Sequence, residues 1–460
     1  MLILGEDVNY GYFATAPMYD VALLRVDQQY PGLISNSSIS VLYQSQDAAD
    51  CAQAGAEMNN VAGRMFDLIS RKRGFPVLFS PGCSLEVAPL ADFAREMDVL
   101  LIASTSADAS FANRARYPTF VSFGSIGQGG HVPSLKRFLR KFAWTTVTVF
   151  CESMANYLNV ASFFGLTCRS IKALIASASD EFTVYYEDFD SRSPKVNFRG
   201  MLERAKSQSR IIVIETRQDI VQKIMIEAHK LKMTAEEYVF IYPEPNRRPL
   251  DISLLKPTEE FTGEVAVEAF LPLIVLNFDY PDWTKTQHIF EAVAETAKRK
   301  YNYTYRADEM VNDNSLSAYE AIRAFCMVLH ELERDNISLL NISIVRNRLL
   351  NRTFDLDTRS VRIGADAYRS ANIVYSRFNE TSRQFQSTWT YDSSLQDFQT
   401  SSDLSHNWNG QSSPPSNVPP CGYRGQLCPP KNAAQDQLII GLICGLVLTT
   451  ILGCSLLYYW

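Results

Sequence analysis

The chain has 460 residues, of which 46% are hydrophobic and 20% charged, and its net charge is −6. The length predicts two to four compact units, and the composition is that of folded domains with a buried core. The acidic balance excludes the basic field of a nucleic-acid-binding protein. Because the chain has five histidines, and its nine cysteines form no CxxC pair, we expect no metal site.

Predicted strands and helices alternate along the chain up to Phe270. Six short runs rich in β-branched and aromatic residues predict strands: Ile39–Tyr43, Val77–Phe79, Val99–Ile102, Thr145–Phe150, Ile211–Glu215 and Tyr238–Tyr242. They are apolar on both faces, as parallel strands covered by helices should be. Between them, Asp50–Arg71 and Gln218–Leu231 repeat apolar residues at helical spacing. This alternation predicts an α/β fold with parallel sheets.

A single sheet rarely accommodates a chain of this length, so we predict two lobes. The first break lies near Phe142–Trp144, where a helix with a basic end is followed by a strand. A second crossing is predicted near Ala266–Phe270, before a further apolar run. The predicted ranges are 1–143 and 267–340 for lobe 1, 144–266 and 341–386 for lobe 2, and 1–386 for the whole bilobal ectodomain.

The composition changes at Ser387, after which Ser, Gln, Asn, Pro and Asp dominate. Proline pairs in this stretch exclude a helix or a central strand, so we predict a juxtamembrane stalk over residues 387–437. Cys421 and Cys428 lie near its end in a loop that contains glycine. This spacing favours a small local disulfide, and an intermolecular bridge across a dimer is the alternative.

The last 23 residues, Leu438–Trp460, contain no charged side chain. As a helix they would span roughly 34 Å, enough for a hydrocarbon core of about 30 Å. Tyr458, Tyr459 and Trp460 are typical of an interfacial belt. We predict a transmembrane helix over 438–460 in a single-pass type I protein of the cell membrane, with the preceding region extracellular. Without a signal peptide or a basic flank, we expect both ends of a longer protein to be missing.

Six asparagines precede this apolar tail in the Asn-x-Ser/Thr pattern of N-glycosylation, which an extracellular region would carry. They are Asn36, Asn302, Asn336, Asn341, Asn351 and Asn379. The pattern is loose, so the sequence alone leaves open which of them carry glycans.

Sequence signatures of nucleotide binding, serine or zinc hydrolysis and kinase chemistry are absent. Gly127-Gln-Gly-Gly130 lacks the third glycine of a dinucleotide fingerprint and is interpreted as a loop that opens a helix. We therefore expect no catalytic residue, no cofactor and no enzymatic activity in this chain.

Several stretches of the chain form a recognisable set: Phe79–Cys83, Val99–Ser104, Phe138–Val149, Ile226–Ile241, Ala318–Ala324 and Pro420–Cys428. Together they resemble the extracellular regions of receptor guanylate cyclases and natriuretic peptide receptors. The run Ile226–Ile241 is the most specific, because its order of helix, Met-Thr turn and strand is typical of that family. The resemblance extends from Leu2 to the predicted membrane helix. It implies the type I periplasmic-binding-protein fold with two lobes.

The resemblance also implies covalent and ligand features. It pairs Cys51 with Cys83, suggests a second bridge between Cys151 and Cys168, and includes the pair Cys421 and Cys428. It implies an anion such as chloride at the backbone of Gly82 and Cys83. It further implies an extracellular ligand, most simply a peptide, bound by a homodimer that signals through cyclic GMP. The family's kinase-like and cyclase domains are not present in these residues.

Two other receptor readings remain open. A clearance or decoy receptor needs the same ectodomain and no output domain. An amino-acid-sensing receptor ectodomain of the glutamate type shares the fold and would read its ligand with hydroxyl and charged side chains. Its candidate residues are Ser104, Thr105, Ser106 and Asp108.

Overall fold

The computed structural model describes residues 1–44, 51–71, 74–106, 108–125, 128–152, 161–176, 180–234, 237–244, 263–279, 281–306, 309, 312–338, 341–401, 408, 413–428 and 433–458. Strands and helices alternate through its first two thirds, and parallel strands form the centre of each lobe. The predicted mixed α/β class is therefore confirmed, and the element bounds differ from the predicted ones by only a few residues.

Lobe 1 combines parallel strands with helices that pack on both sides of them. Its first elements are β1 (Leu2–Leu4), α1 (Tyr12–Gln29), β2 (Leu42–Gln44), α2 (Cys51–Arg71), β3 (Val77–Ser80), α3 (Ser84–Glu96), β4 (Leu100–Ala103) and β5 (Phe120–Ser122). Strands β1 and β2 pair in parallel, as do β3, β4 and β5. Buried residues of β1 and β4 share one core with α2 and α3, so the two sheets belong to the same lobe.

The chain returns to lobe 1 after it has built most of lobe 2. The returning elements are α9 (Trp283–Tyr301), α10 (Asp313–Arg334), α11 (Ile342–Leu349), β11 (Arg352–Asp355), β12 (Ser360–Ile363) and β13 (Arg369–Ser370). Helices α9 and α10 bury apolar faces against α1, and β11–β13 form a small antiparallel sheet that contributes to the same core.

Lobe 2 is built on one eight-stranded sheet with the order β16-β15-β14-β10-β9-β8-β6-β7. Its elements are α4 (Gln128–Lys141), β6 (Thr146–Cys151), α5 (Ala161–Ala176), β7 (Thr183–Asp188), α6 (Phe198–Lys206), β8 (Ile211–Glu215), α7 (Gln218–Lys230), β9 (Val239–Pro243), α8 (Gly263–Phe270), β10 (Leu273–Phe278), β14 (Ile373–Asn379), β15 (Gln384–Asp392) and β16 (Asp397–Thr400). Strands β6–β10 are parallel to one another, and β14–β16 continue the sheet beyond β10 in antiparallel fashion. Two separate cores cover its two faces.

The border between the lobes lies earlier than the predicted break at residues 143 and 144. Val132, Leu135 and Phe138 of α4 are buried in a lobe 2 core together with Val147 and Tyr375. A helix that connects strands of two different sheets can pack on either of them, and the pattern of α4 does not reveal which. The structure therefore moves α4 from lobe 1 to lobe 2.

The later borders are also corrected. The predicted range 267–340 for lobe 1 includes β10, which pairs with β9 and β14 in the sheet of lobe 2. The predicted range 341–386 for lobe 2 includes β11–β13, whose Phe354 and Val361 are buried in the core of lobe 1. Both errors have one cause, since strand pairing over long sequence separations decides lobe membership and short-range periodicity does not record it.

The region predicted as a stalk begins inside the sheet. Strand β15 extends through residue 387 to Asp392 and pairs with β16, so residues 387–400 belong to lobe 2. Trp408 then packs against Trp389 with ring centroids 5.7 Å apart. In β15, serine and threonine alternate with aromatic residues, and β16 forms the edge of the sheet beside it. Composition alone does not distinguish such strands from a stalk.

Helix α12 (Ala433–Tyr458) ends the described chain. Its described apolar side chains, among them Ile440, Leu442 and Leu446, are exposed. Within the described residues, none of the helices combines the length and the apolar character that crossing a bilayer requires.

Candidate ligand-binding site

Three connections carry the chain between the lobes: β5 to α4, β10 to α9, and β13 to β14. The first leaves lobe 1 at the carboxyl end of a parallel strand, and the second leaves lobe 2 in the same way. The carboxyl edges of both parallel sheets therefore face the crossing. Open α/β sheets bind ligands at this edge, so it is the expected place for a ligand site.

At the lobe 1 edge, Ser104, Thr105 and Ser106 follow β4. The hydroxyls of Thr105 and Ser106 are buried and have no hydrogen-bond partner in the described part of the chain. The carboxylate of Asp108 instead accepts from the amide of Ser110, 2.9 Å away, and caps a short 3-10 helix. The structure thus brings the three hydroxyls of the amino-acid-sensor reading together but gives Asp108 a structural role.

The turn proposed to hold an anion is filled by a carboxyl group of the chain itself. The amide of Gly82 donates to the Ser80 hydroxyl at 3.1 Å. Glu86, from the first turn of α3, is fully buried against Gly82, where an added Cβ would lie 2.1 Å from the Glu86 carboxyl carbon. Burial raises the pKa of Glu86 to about 8. These residues do not fit a chloride at Gly82 and Cys83.

At the lobe 2 edge, four adjacent parallel strands end in one row of polar residues. Strand register places Glu152, Thr216, Glu244 and Asn277 side by side. The first three directly follow β6, β8 and β9, and Asn277 is the last residue but one of β10. All four are at most 5% exposed. We call these four residues the polar row. It is a buried, acidic end to an otherwise apolar sheet.

The polar row is joined by hydrogen bonds. The Thr216 hydroxyl donates to Glu152, whose other carboxylate oxygen accepts from the amide of Ser191 at 3.2 Å. The Tyr242 hydroxyl donates to Glu244 at 2.9 Å, and the amide nitrogen of Gln218 donates to the same oxygen. The carbonyl oxygen of the Asn277 side chain has no partner among the described residues.

Glu215, the last residue of β8, lies on the opposite face of the sheet beside its register partner Cys151. It is fully buried, and neither of its carboxylate oxygens has a hydrogen-bond partner in the part of the chain that the structure describes. Burial raises the pKa of Glu215 well above its ordinary value, which favours the neutral carboxyl.

The residues of the polar row were not singled out by motif, although the sequence contains a signal for them. Each follows an apolar run directly or after one residue, as in Cys151-Glu152 and Leu276-Asn277. Polar residues at the carboxyl ends of buried strands are candidates for ligand contact. The register that aligns them across four strands is visible only in the folded sheet.

Disulfides connect Cys151 to Cys168 and Cys421 to Cys428, with Cα atoms 6.1 Å and 4.4 Å apart. Cys83 is also disulfide-bonded. The side chain of Cys51, its predicted partner, lies outside the described residues, so this pairing stays a prediction. The bridge between Cys421 and Cys428 lies within one chain, as the local alternative requires.

All six sequon asparagines are on the surface, and several have a conformational reason to be asparagine. Asn302, Asn336 and Asn351 adopt a left-handed backbone with φ near 50°. Asparagine tolerates that conformation better than most residues. Asn341 caps α11 by accepting from the amides of Ser343 and Ile344. The sequons at these positions therefore coincide with turns, and their use as glycan sites stays a prediction.

A surface cavity of about 590 Å³ lies between α4 and the hairpin turns of β12 and β15. Lys136, Arg137, Arg140 and Arg362 line it. Arg137 pairs with Asp397 at 3.4 Å and Arg140 with Glu181 at 2.6 Å, so much of its positive charge is neutralised. Its lining also includes Tyr368 and Arg369, which contact Ser122 and Phe123 at the carboxyl end of β5.

Comparison with known proteins places the lobes in a receptor context. The chain is 27% identical over 255 residues to receptor-type guanylate cyclase gcy-28 of Caenorhabditis elegans, and the match covers 53% of the chain and 19% of that relative. It is 23% identical over 266 residues to gamma-aminobutyric acid type B receptor subunit 1 of Mus musculus, covering 55% of the chain and 25% of that receptor. It is 19% identical over 387 residues to human atrial natriuretic peptide receptor 3, and this match covers 80% of the chain and 66% of that receptor.

The matched region thus spans less than two thirds of each of these relatives. The family described as receptor family ligand binding region matches residues 32–379, which include most of both lobes. The resemblance to ligand-binding regions of receptor guanylate cyclases and natriuretic peptide receptors is confirmed. The chain belongs to the receptor family ligand binding region.

Proposed function

We propose that this chain is the extracellular ligand-binding region and membrane anchor of a receptor of the guanylate cyclase type, and that it carries out no catalysis itself. The match of the family to residues 32–379, across both lobes, carries this proposal. The similarity to gcy-28 supports an output through cyclic GMP. By analogy with atrial natriuretic peptide receptor 3, we propose that the ligand is a peptide.

The anchor is proposed from the sequence. Residues 438–460 contain no charged side chain, and as a helix they would be long enough for a hydrocarbon core of about 30 Å. In a type I orientation, this anchor would place the lobes and all six sequons outside the cell.

We also propose that the receptor works as a homodimer. Leu24 of α1 and Phe66 of α2, both on lobe 1, are 58% and 52% exposed. Helix α1 packs in one core of lobe 1 and α2 in the other, so each side chain offers its own exposed apolar position for an interface between protomers. Ligand would act by favouring one arrangement of the two protomers over another. A purified chain that stays monomeric at high concentration and in membranes would contradict this part.

A clearance or decoy receptor is the second candidate. The match to human atrial natriuretic peptide receptor 3, which covers 80% of the chain and 66% of that receptor, supports this candidate. An amino-acid sensor is favoured only by the hydroxyls of Ser104–Ser106 and the match to the type B receptor subunit. Calorimetry with free amino acids, including γ-aminobutyric acid, that gives no heat would remove this reading.

Sequencing the complete messenger on both sides of this frame separates the first two candidates. A basic segment followed by kinase-like and cyclase regions supports the cyclase receptor. Cells that express the complete gene should then change their cyclic GMP level when a bivalent antibody joins tagged receptors, and a monovalent Fab fragment is the control. A stop codon soon after Trp460 would instead support ligand capture without output.

A further inference from the structure

The surface cavity of about 590 Å³ lies on the boundary between the lobes. From lobe 2 it is lined by Lys136, Arg137 and Arg140 of α4, and from lobe 1 by Arg362 of β12. The segment Tyr368–Ser370, which includes β13 and leads to β14 of lobe 2, also lines it. A molecule held in this cavity would therefore contact both lobes and one of the connections between them.

The chain compensates the positive charge of the cavity only in part. Among the described lining residues, five are basic. Three of these five have a carboxylate partner: Arg137 pairs with Asp397, Arg140 with Glu181 and Arg369 with Glu320. The other two, Lys136 and Arg362, form no ion pair within the part of the chain that the structure describes.

Lys136 and Arg362 approach the cavity from different lobes. The guanidinium of Arg362 donates to the neutral side-chain oxygen of Asn351 at 3.2 Å. Lys136 acts on Glu181 at longer range, because both Glu181 oxygens accept from Arg140 at 2.6 Å. Both cations are half-buried, so an anionic ligand that reaches them would be screened less by salt than at an open surface.

Asp366, the one acidic residue among the described lining residues, does not cancel these two charges. Its carboxylate accepts from the amide of Tyr368 at 3.1 Å. It also acts on Arg114: burial and the neighbouring Arg346 lower the pKa of Arg114, and Asp366 opposes this shift. Because the negative charge of Asp366 is shared with these groups, the cavity keeps an excess of positive charge.

The neutral groups and the size of the cavity indicate the kind of ligand. Ser370, Ser393, Ser394 and Gln396 line it with hydroxyl and amide groups, beside the ring of Tyr391. The side chains of Ser370 and Gln396 have no hydrogen bond to other described residues. The volume lies within the range of small-molecule sites and exceeds that of a single inorganic ion. Hydroxyl and amide groups beside two cations suit a sugar that carries anionic groups.

We propose that this cavity binds a sulfated or phosphorylated sugar whose anionic groups contact Lys136 and Arg362. The oxygens of sulfate and phosphate accept charge-assisted hydrogen bonds from an ammonium or a guanidinium. Because the two cations belong to different lobes, a ligand that contacts both of them links the lobes. This site is additional to that of the proposed receptor ligand and does not depend on it.

Asn351, one of the six sequon asparagines, also lines the cavity. A glycan on Asn351 would stand at the entrance, so the test uses a chain without this sequon. Thr353→Val removes the sequon and leaves the Asn351 oxygen in place as the acceptor for Arg362. Thr353 is exposed on β11, and valine keeps a β-branched side chain in the strand.

The test uses the full Thr353→Val chain in a non-ionic detergent, with a sulfated disaccharide from heparin as the probe. Calorimetry should detect one disaccharide bound per chain, and the same disaccharide without its sulfates should bind at least tenfold more weakly. Lys136→Gln and Arg362→Gln, each added to this chain, should weaken binding at least tenfold. Lys298→Gln removes an exposed lysine on α9 and should leave binding unchanged.

Two further variants separate ligand contact from folding. Lys136→Arg and Arg362→Lys keep the positive charge, so they should retain most of the binding that the glutamine variants lose. Melting temperatures of all variants show whether each of them is folded. Loss of binding in the glutamine variants together with its retention in the charge-conserving variants supports contact with the anionic groups. Binding that is unchanged in Lys136→Gln and in Arg362→Gln overturns the inference.

A second probe, fructose 1,6-bisphosphate, identifies the source of the anionic groups. Tighter binding of the sulfated disaccharide assigns the site to a sulfated glycan, and tighter binding of the bisphosphate assigns it to a sugar phosphate. Either result supports the cavity as the site, and absence of binding by both probes overturns the inference. The receptor proposal is tested separately by the messenger and by cyclic GMP, so failure of these probes leaves it standing.

Discussion

Trp144 donates from its indole nitrogen to the backbone oxygen of Pro415, 2.8 Å away and 271 residues later in the sequence. The same contact region includes Asn417, whose side-chain oxygen accepts from the amides of Thr145 and Thr146 at 2.8 Å each. The chain just before the disulfide of Cys421 and Cys428 is therefore fixed to the first residues of β6. A displacement of lobe 2 would be transmitted to the segment that leads towards α12.

Removal of the Asn417 side chain should release this contact. Asn417→Ala leaves two amides at the start of β6 without their acceptor, which costs about 1–3 kcal/mol. We expect a lower melting temperature by tryptophan fluorescence and faster proteolysis within residues 413–428. Asn417→Asp keeps the acceptor oxygen and should lie closer to the wild type. Equal protease resistance of the alanine variant would contradict the contact.

A buried ion network connects the helix α10 to β13. Glu320 is fully buried and accepts from Arg369 at 2.6 Å and from Arg359 at 2.9 Å. Removing one partner of such a network leaves uncompensated charge and costs about 3–5 kcal/mol. Glu320→Gln should therefore lower the melting temperature far more than Glu333→Gln, an exposed position on the same helix. Similar shifts in both variants would show that the network is not stabilising.

The same network predicts sensitivity to acid. Burial opposes ionisation of Glu320, but Arg359 and Arg369 outweigh it and keep its pKa below the ordinary value of 4.5. The stabilisation is thus present above that value and is lost as the pH falls through the lower pKa of the folded state. Denaturant titrations between pH 3 and pH 6 should show a steeper loss of stability in the wild type than in Glu320→Gln.

Glu86 predicts the opposite dependence in another range. Its pKa is raised by burial from 4.5 to about 8, so the folded chain holds a proton that the unfolded chain releases. Stability should fall as the pH rises between these values, by up to about 1.4 kcal/mol per pH unit. Glu86→Gln removes the titration and should flatten this part of the curve. If stability depends on pH equally in the wild type and in Glu86→Gln from pH 5 to pH 8, a raised pKa of Glu86 is ruled out.

Asn336 separates the effect of a turn from that of a glycan. Its left-handed backbone, φ 51°, costs most side chains about 1–2 kcal/mol. Both Asn336→Gly and Asn336→Ala remove the sequon, but glycine should keep the stability and alanine should lose it. Melting curves of enzymatically deglycosylated wild type and both variants measure the difference. Equal losses in the two variants would assign the effect to the asparagine side chain.

The parts of the fold that depend on local pattern were predictable. The run Ile211–Ile214 of β8 is continuously apolar and is buried on both faces, and Gln218–Lys230 presents a clear helical stripe. The borders between the lobes were not predictable, because α4 and β10 join lobe 2 through contacts with residues far away in the sequence. The polar end of β15 looked like a stalk because serine and threonine are frequent in both.

For the candidate site, the sequence predicted correctly only those features that depend on residues close together in the chain. The cysteine pair 421 and 428 forms a bridge because seven residues cannot separate its ends far. The anion turn at Gly82 was not predictable, because the filling group, Glu86, comes from the following helix. The polar row requires the register of four strands, which no single segment specifies.

The most direct test of the account is the side of the membrane on which the lobes lie. An epitope tag in the exposed turn at Asn36, in the complete gene, should be stained on intact cells. A second tag directly after Trp460 should be stained only after permeabilisation. Staining of the first tag only after permeabilisation would contradict an extracellular ligand-binding region.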